Sequence, residues 1–178
     1  MRAAVVALAL SAMLAAGCAS NAPATEGEEQ NALIAGNFAA ADRLLSDSVR
    51  RELLVSGKRV LVASWVDVNQ LNRSSVFGKM MAEQLASRLV QQGVPVVEVK
   101  LRSSLFMSER GGEMLLSREV KEVSQSHNAD AVVVGTYADT GPTGIYVTLK
   151  MVRASDAMVM SASNFVIPRK LVSNVISR

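Results

Sequence analysis

Residues that carry metal-binding or nucleophilic chemistry are scarce in this sequence. Its 178 residues include one cysteine, Cys18, and one histidine, His127. A zinc site usually needs several such ligands, and a Cys–His pair needs both residues close together. We therefore expect no metal centre. His127 could act as the base of a serine triad, but it falls at the end of a predicted helix, where capping or a favourable interaction with the helix dipole is the commoner role.

Aromatic residues and concentrated charge are scarce too. Aromatic residues make up 4% of the chain and hydrophobic residues 49%, which predicts a mainly aliphatic core. The 19 basic residues are scattered among 16 acidic ones. Nucleic-acid binding usually needs a basic face with stacking aromatics, so we expect no nucleic-acid partner. Neither GxxxxGK[ST] nor GxGxxG surrounds Gly111 and Gly112, and we expect no cofactor and no enzymatic activity.

The first 17 residues have the composition of a secretory signal peptide. One positive charge at Arg2 precedes a run of small and apolar residues that is shorter than the about 20 residues of a bilayer-spanning helix. Cys18 follows this run and resembles the bacterial lipobox cysteine, which becomes the first residue after cleavage and carries diacylglycerol. The lipobox prefers leucine three places before the cysteine, where this chain has Ala15. A buried cysteine near the start of the domain is the alternative interpretation.

Lipidation at Cys18 would attach acyl chains such as palmitate, and Ala19 resembles Gram-negative sorting signals for the outer membrane. Residues 18–36 are small, polar and acidic, which predicts a lipidated flexible tether with a reach of about 23 Å. We expect Asn37 to cap the first helix of a single α/β domain, residues 37–178. The apolar face of that helix is predicted to include Phe38, Ala41, Leu45 and Val49.

Residues 60–66 form an apolar run that predicts the central strand of a sheet, buried on both faces. Regular alternation would put Val60, Val62 and Val66 on one side and Leu61, Ala63 and Trp65 on the other. A helix over residues 76–92, capped by Ser74 or Ser75, and a strand over residues 94–100 complete a parallel crossover. Pro95 favours a sheet edge for this second strand.

The second half of the chain predicts a further buried strand and then a hairpin. A helix over residues 118–127 precedes the strand at 130–137, in which Gly135 indicates close backbone approach or a bulge. Residues 145–151 alternate apolar and polar, and residues 158–167 return as a hairpin partner. The sequence therefore predicts an α/β fold with α+β character: a mixed sheet with parallel central strands, a C-terminal antiparallel hairpin and packed helices.

Two places are candidates for an interaction site. Asp67 follows the central strand, and the carboxyl ends of parallel strands are where α/β sheets place functional groups, although capping of the next turn is the alternative. A charged and apolar connection is the second candidate, with an ordinary solvated loop as its alternative. Its residues are Arg102, Leu105, Phe106, Arg110 and Glu113.

Four blocks occur in order between residues 58 and 165: VLVASWVDVNQLNRSSVFGKMMAEQLASRL, VVEVKLRSSLFM, GGEMLLSREV and HNADAVVVGTY. This ordered series resembles the FlgO family of flagellar outer-membrane lipoproteins. The resemblance implies a lipid-anchored domain, facing the periplasm, that helps assemble or stabilise the flagellum at the outer membrane. Its expected partners are flagellar basal-body or ring proteins, with homo-oligomerisation possible. A secretion-channel subunit and an activator of a cell-wall synthase remain alternatives, because related α/β domains serve other envelope machines.

Overall fold

The computed structural model describes residues 26–50, 56–71, 73, 75–97, 121–122 and 124–172. Two long helices are present, α1 (Glu26–Arg50) and α2 (Val76–Gln91). Residues 121–122 and 124–127 are also helical, and short 3-10 helices follow the fourth and sixth strands at Gly141–Thr143 and Arg169–Leu171. The strands are β1 (Val60–Val62), β2 (Val66–Asp67), β3 (Val96–Val97), β4 (Ala131–Asp139), β5 (Ile145–Arg153) and β6 (Val159–Ile167).

The strands form one mixed sheet in the order β3-β1-β4-β5-β6, with β2 also paired to β4. β1 runs parallel to β3 and β4, whereas β4, β5 and β6 are antiparallel neighbours. The carbonyl of Pro95, just before β3, accepts a hydrogen bond from the Val60 amide at 2.9 Å. The predicted mixed sheet with a C-terminal hairpin is therefore confirmed, and β3 lies at its edge.

The central strand is interrupted, although the sequence predicted one continuous strand. Val62 pairs with Val133 and Val66 pairs with Thr136, so three residues on one strand face two on β4. This extra residue is a bulge, and it shifts the alternation of side chains by one position. Trp65 consequently lies in the hydrophobic cluster that contains Val60, not with Leu61 and Ala63 on the opposite face.

Both long helices bury residues in the cluster on the Val60 face of the sheet. α1 supplies Leu33, Ala40, Ala41 and Leu44, and α2 supplies Phe77, Met81, Ala82, Leu85 and Leu89. A smaller cluster lies on the other face and contains Leu61, Ala63, Ala129, Val132 and Val152. The central strands are thus buried on both faces, as a two-sided apolar run predicts.

Helix α1 begins at Glu26, so two predictions about its start are wrong. Residues 26–36 are helical where a flexible tether was predicted, and Leu33 is buried. Asn37 is not a cap but a buried residue inside the helix, and its Nδ2 donates to the Met81 carbonyl of α2 at 2.9 Å. The predicted signal peptide, Cys18 and residues 18–25 of the tether lie outside the described residues.

The buried face of α1 is also displaced from the predicted one. Val49 is exposed, whereas Ser48 is buried against β6. The Ser48 hydroxyl lies 2.8 Å from the Ser161 hydroxyl, which donates to the Leu44 carbonyl at 2.8 Å. These short polar side chains satisfy one another and allow α1 to lie close to the sheet.

Candidate functional site

Asp67 lies at the carboxyl end of β2, where it pairs in parallel register with Tyr137 of β4. Its carboxylate accepts hydrogen bonds from the Asn69 main-chain amide at 2.8 Å and from Asn69 Nδ2 at 3.1 Å. The next amide, Val68 N–H, donates to the Tyr137 carbonyl at 3.0 Å. The carboxylate therefore stabilises the turn after the strand, the alternative that the sequence left open for this residue.

Tyr137 and Ser75 connect this end of the sheet to the start of α2. The Tyr137 hydroxyl donates to Ser75 Oγ at 2.7 Å, and the same oxygen accepts the Gly78 amide at 2.9 Å as the N-cap of α2. Burial raises the pKa of the Tyr137 phenol, against the hydrogen bond to Ser75, which acts in the opposite direction. The phenol remains a neutral donor at physiological pH, and Ser75 is confirmed as one of the two predicted caps.

Trp65 occupies the bulge and approaches two glycines. A Cβ added to Gly135 would lie 2.3 Å from Trp65 Cδ1, and one added to Gly78 would lie 1.9 Å from the Trp65 carbonyl oxygen. The sequence predicted close backbone approach or a bulge at Gly135; the position is closely approached, but by the indole ring of Trp65 and not by another backbone. The Trp65 amide leaves the ladder and donates to the Gly78 carbonyl at 3.2 Å. The bulge and the start of α2 are consequently held as one packed unit.

An ion pair with Arg169 neutralises the charge of Asp139 at the end of β4. The Asp139 carboxylate accepts the Gly141 amide at 2.9 Å and also a hydrogen bond from the Arg169 guanidinium. Arg169, with help from the Gly141 amide, holds the pKa of Asp139 below its usual range. Like Asp67, this carboxylate is engaged by groups of its own chain.

Of the remaining candidate residues, His127 is the one that lies within the described part of the chain. Arg102, Leu105, Phe106, Arg110 and Glu113 lie in residues 98–120, outside the described residues, and remain predictions. His127 occupies the end of the helical residues 124–127, as the sequence predicted, and is half-buried.

Sequence reasoning missed a cavity at the opposite, amino ends of β1 and β4. The cavity has a volume of about 440 Å³ and is lined by four basic residues, Lys58, Arg59, Lys121 and Arg153. Lys58 and Arg59 are adjacent in the sequence, but nothing in their spacing indicates that Lys121 and Arg153 lie beside them.

Among the described residues, no group of three or more His, Cys, Asp or Glu side chains lies close enough to hold a metal ion. None of the described helices has the length and apolar composition that crossing a membrane requires.

Comparison with known proteins identifies one family and one fold. A family model described as FlgO protein matches residues 38–172. The C-terminal domain of LpoB from Salmonella enterica superposes with a TM-score of 0.51 at 13% identity, covering 74% of this chain and 98% of that domain. The Escherichia coli LpoB C-terminal domain gives a TM-score of 0.51 at 12% identity, covering 72% of this chain and 95% of that domain. At these identities only the fold is shared. No curated protein sequence matches the chain.

Proposed function

The chain belongs to the FlgO family, whose model covers residues 38–172, and from this membership we propose that it helps assemble or stabilise the flagellum at the outer membrane. The family match is the observation that carries the proposal. Together with the LpoB-like fold, it supports the coarser description of an envelope lipoprotein. We also propose that the protein lies at the outer membrane with its domain facing the periplasm.

We infer that the protein acts by binding other proteins and has no enzymatic role. Asp67 and Tyr137 form the most reactive-looking group at the carboxyl ends of the parallel strands. Asp67 Oδ1 accepts two hydrogen bonds from Asn69, and the Tyr137 hydroxyl donates to Ser75. Such contacts organise a turn and a helix start, and among the described residues no second carboxylate or histidine bonds to Asp67 as proton-transfer chemistry would use.

Helix α1 shortens the segment that separates the domain from its proposed anchor. The predicted tether spans residues 18–36, whereas the helix begins at Glu26, so residues 18–25 lie between the proposed lipid on Cys18 and the helix. We propose that the lipid holds the domain at the membrane surface, where it can meet flagellar basal-body or ring proteins.

Residues 102–113 are the proposed docking segment, on the strength of their sequence. Arg102 and Arg110 flank the apolar pair Leu105 and Phe106, a composition typical of protein interfaces. Reversing both arginines to glutamate should leave the protein anchored and folded but reduce its recovery with purified basal bodies. Undiminished recovery together with normal swimming would remove this segment as the docking surface.

Deletion of the gene followed by complementation tests the function itself. We expect loss of swimming or of stable flagella, restored by the wild-type gene and by Asp67→Asn and His127→Gln. The Cys18→Ser variant should lose acyl labelling, leave the membrane fraction and fail to complement. Normal flagella in the deletion strain, with a defect in envelope secretion or cell-wall synthesis, would instead favour the alternative envelope machines.

A further inference from the structure

Three separate parts of the chain supply the basic residues of the cavity at the amino ends of β1 and β4. The entry to β1 supplies Lys58 and Arg59, the segment before β4 supplies Lys121, and the end of β5 supplies Arg153. Asp130 is the one acidic residue among the described residues that line it. The lining therefore carries four positive charges and one negative charge.

Two of these cations already have partners. Lys58 Nζ lies 2.8 Å from Asp130 Oδ1, and an Arg153 guanidinium nitrogen lies 3.0 Å from Asp156 Oδ2. The bond from Lys58, with the Arg59 main-chain amide at 2.9 Å, holds the pKa of Asp130 below its usual range. Asp130 is therefore ionised at neutral pH, and both of its oxygens are engaged.

The other two cations, Arg59 and Lys121, are exposed, and neither side chain forms a salt bridge within the described part of the chain. Asp130 attracts Arg59 through space, but its carboxylate oxygens are bound to Lys58 and to the Arg59 main-chain amide. Two exposed positive charges at the rim of one cavity, without a salt bridge among the described residues, favour an anionic ligand.

The rest of the lining suits a carboxylate on a short carbon chain. Gln125, Asn128 and Ser155 are exposed polar residues that can donate hydrogen bonds to an anion. Ala129, Ala154 and Met160 line the same cavity and can contact methylene groups. A glutamate or aspartate side chain that protrudes from a partner fits a recess of about 440 Å³.

We propose that this cavity binds an acidic peptide segment of a partner protein, with Arg59 and Lys121 contacting its carboxylates. The proposal does not depend on the flagellar role, because it follows from the charge and shape of the cavity. Such a partner presents at least one projecting acidic side chain to one of these cations. A second acidic side chain lies close enough to contact the other cation.

Binding of a short fluorescent glutamate-rich peptide to the purified full chain tests the proposal. We expect fluorescence anisotropy to show saturable binding that weakens as salt is added, because screening reduces the attraction. The Arg59→Ala/Lys121→Ala double variant should bind about tenfold more weakly or worse, since each cation contributes a charge-assisted contact. Both side chains are exposed and the Arg59 main-chain bonds remain, so this variant should fold normally.

The matched control is Arg73→Ala/Lys79→Ala, which removes the same charge from exposed residues outside this cavity. It should bind the peptide like the wild type. Equal weakening in both double variants would indicate general charge attraction and overturn the proposal. Absence of peptide binding by the wild type would also overturn the proposal. Tighter binding of inorganic phosphate or of phosphatidylglycerol vesicles than of the peptide, lost in Arg59→Ala/Lys121→Ala, would overturn it too.

Discussion

At the carboxyl ends of β2 and β4, two aspartates each accept two hydrogen bonds. Asp67 accepts both from Asn69, and Asp139 accepts one from the Gly141 amide and one from Arg169, 30 residues later in the chain. At the amino ends of β1 and β4, four cations and Asp130 line the cavity, and two of the cations, Arg59 and Lys121, form no salt bridge within the described residues. The general rule for α/β sheets directs attention to the carboxyl ends. In this domain the charged groups at the carboxyl ends stabilise the fold, whereas the positive charge that could bind a ligand lies at the amino ends.

Packing around Trp65 gives the largest expected effect, because it fixes the carboxyl end without any charged group. A methyl group at Gly135 would overlap the indole, so Gly135→Ala should destabilise the domain by about 3 kcal/mol or more. Denaturant unfolding measures the loss. Gly36→Ala is the control, since it meets nothing within 4 Å inside α1 and should stabilise by about 0.5–1 kcal/mol. Near-normal stability of Gly135→Ala would mean that the indole can move away easily.

Ser75→Ala should give an intermediate effect at the same end. The change removes the N-cap of α2 and the acceptor of the Tyr137 hydroxyl, which together contribute about 1–2 kcal/mol. Ser87→Ala on the exposed side of α2 should stay within about 0.5 kcal/mol of the wild type. If the effect of Ser75→Ala is unchanged when Tyr137 is already phenylalanine, the two residues are not coupled and the proposed link between sheet and helix fails.

The smallest effect is expected at the amino end, from Asp130→Asn. The pKa of Asp130 is lowered in the folded state, so its carboxylate stabilises the fold above the unfolded pKa of about 3.9 and this contribution disappears as pH falls through the folded value. The variant should lose at most about 1 kcal/mol at neutral pH, as partly exposed pairs do, and should match the wild type in acid. Unfolding at several pH values checks the sign. A constant difference across the acid range would contradict it.

Asp130→Asn should also change peptide binding in the cavity at the amino ends of β1 and β4. Removing the charge of Asp130 releases Lys58, which adds a third available cation to the cavity. Binding of the glutamate-rich peptide should therefore become tighter even though the fold becomes slightly less stable. A carboxyl-end variant such as Asp67→Asn should change neither peptide binding nor its salt dependence.

Periodicity predicted the antiparallel half of the sheet well because its signal is local. Ile145, Val147, Leu149 and Met151 alternate with less buried neighbours, and all four are buried. The parallel half was predicted only in outline, since one inserted residue between Val62 and Val66 reversed the side of Trp65. A bulge of this kind leaves an apolar run unchanged in composition, and only the pairing with β4 reveals it.

Polar residues on buried faces explain the error in α1. Asn37 and Ser48 are fully buried, and their partners, Met81 on α2 and Ser161 on β6, are more than forty residues away. The spacing of hydrophobic residues does not predict such pairs. The predicted buried face of α1 therefore included Val49, which is exposed. The predicted cap at Asn37 failed for the same reason: its side chain bonds to another helix and not to its own.

The basic cavity could not be predicted because its charges come from distant segments. Lys58 and Arg59 precede β1, Lys121 lies some sixty residues later, and Arg153 ends β5. No spacing rule joins these positions, and the sequence showed only scattered basic residues. Their meeting depends on β1 and β4 being neighbours, which is a property of the assembled sheet.

The order of pairing in the sheet also has a kinetic consequence. β4, β5 and β6 follow one another and pair with their neighbours in sequence, whereas Val60 meets Ala131 only after a loop of about seventy residues closes. Closing long loops costs chain entropy before any contact compensates it, so we expect the β4–β5–β6 meander to form in the folding transition state and β1 to dock later. Leu149→Ala should then mainly slow folding, while Val60→Ala should mainly accelerate unfolding. Stopped-flow measurements showing the reverse pattern would place the folding nucleus in the parallel half.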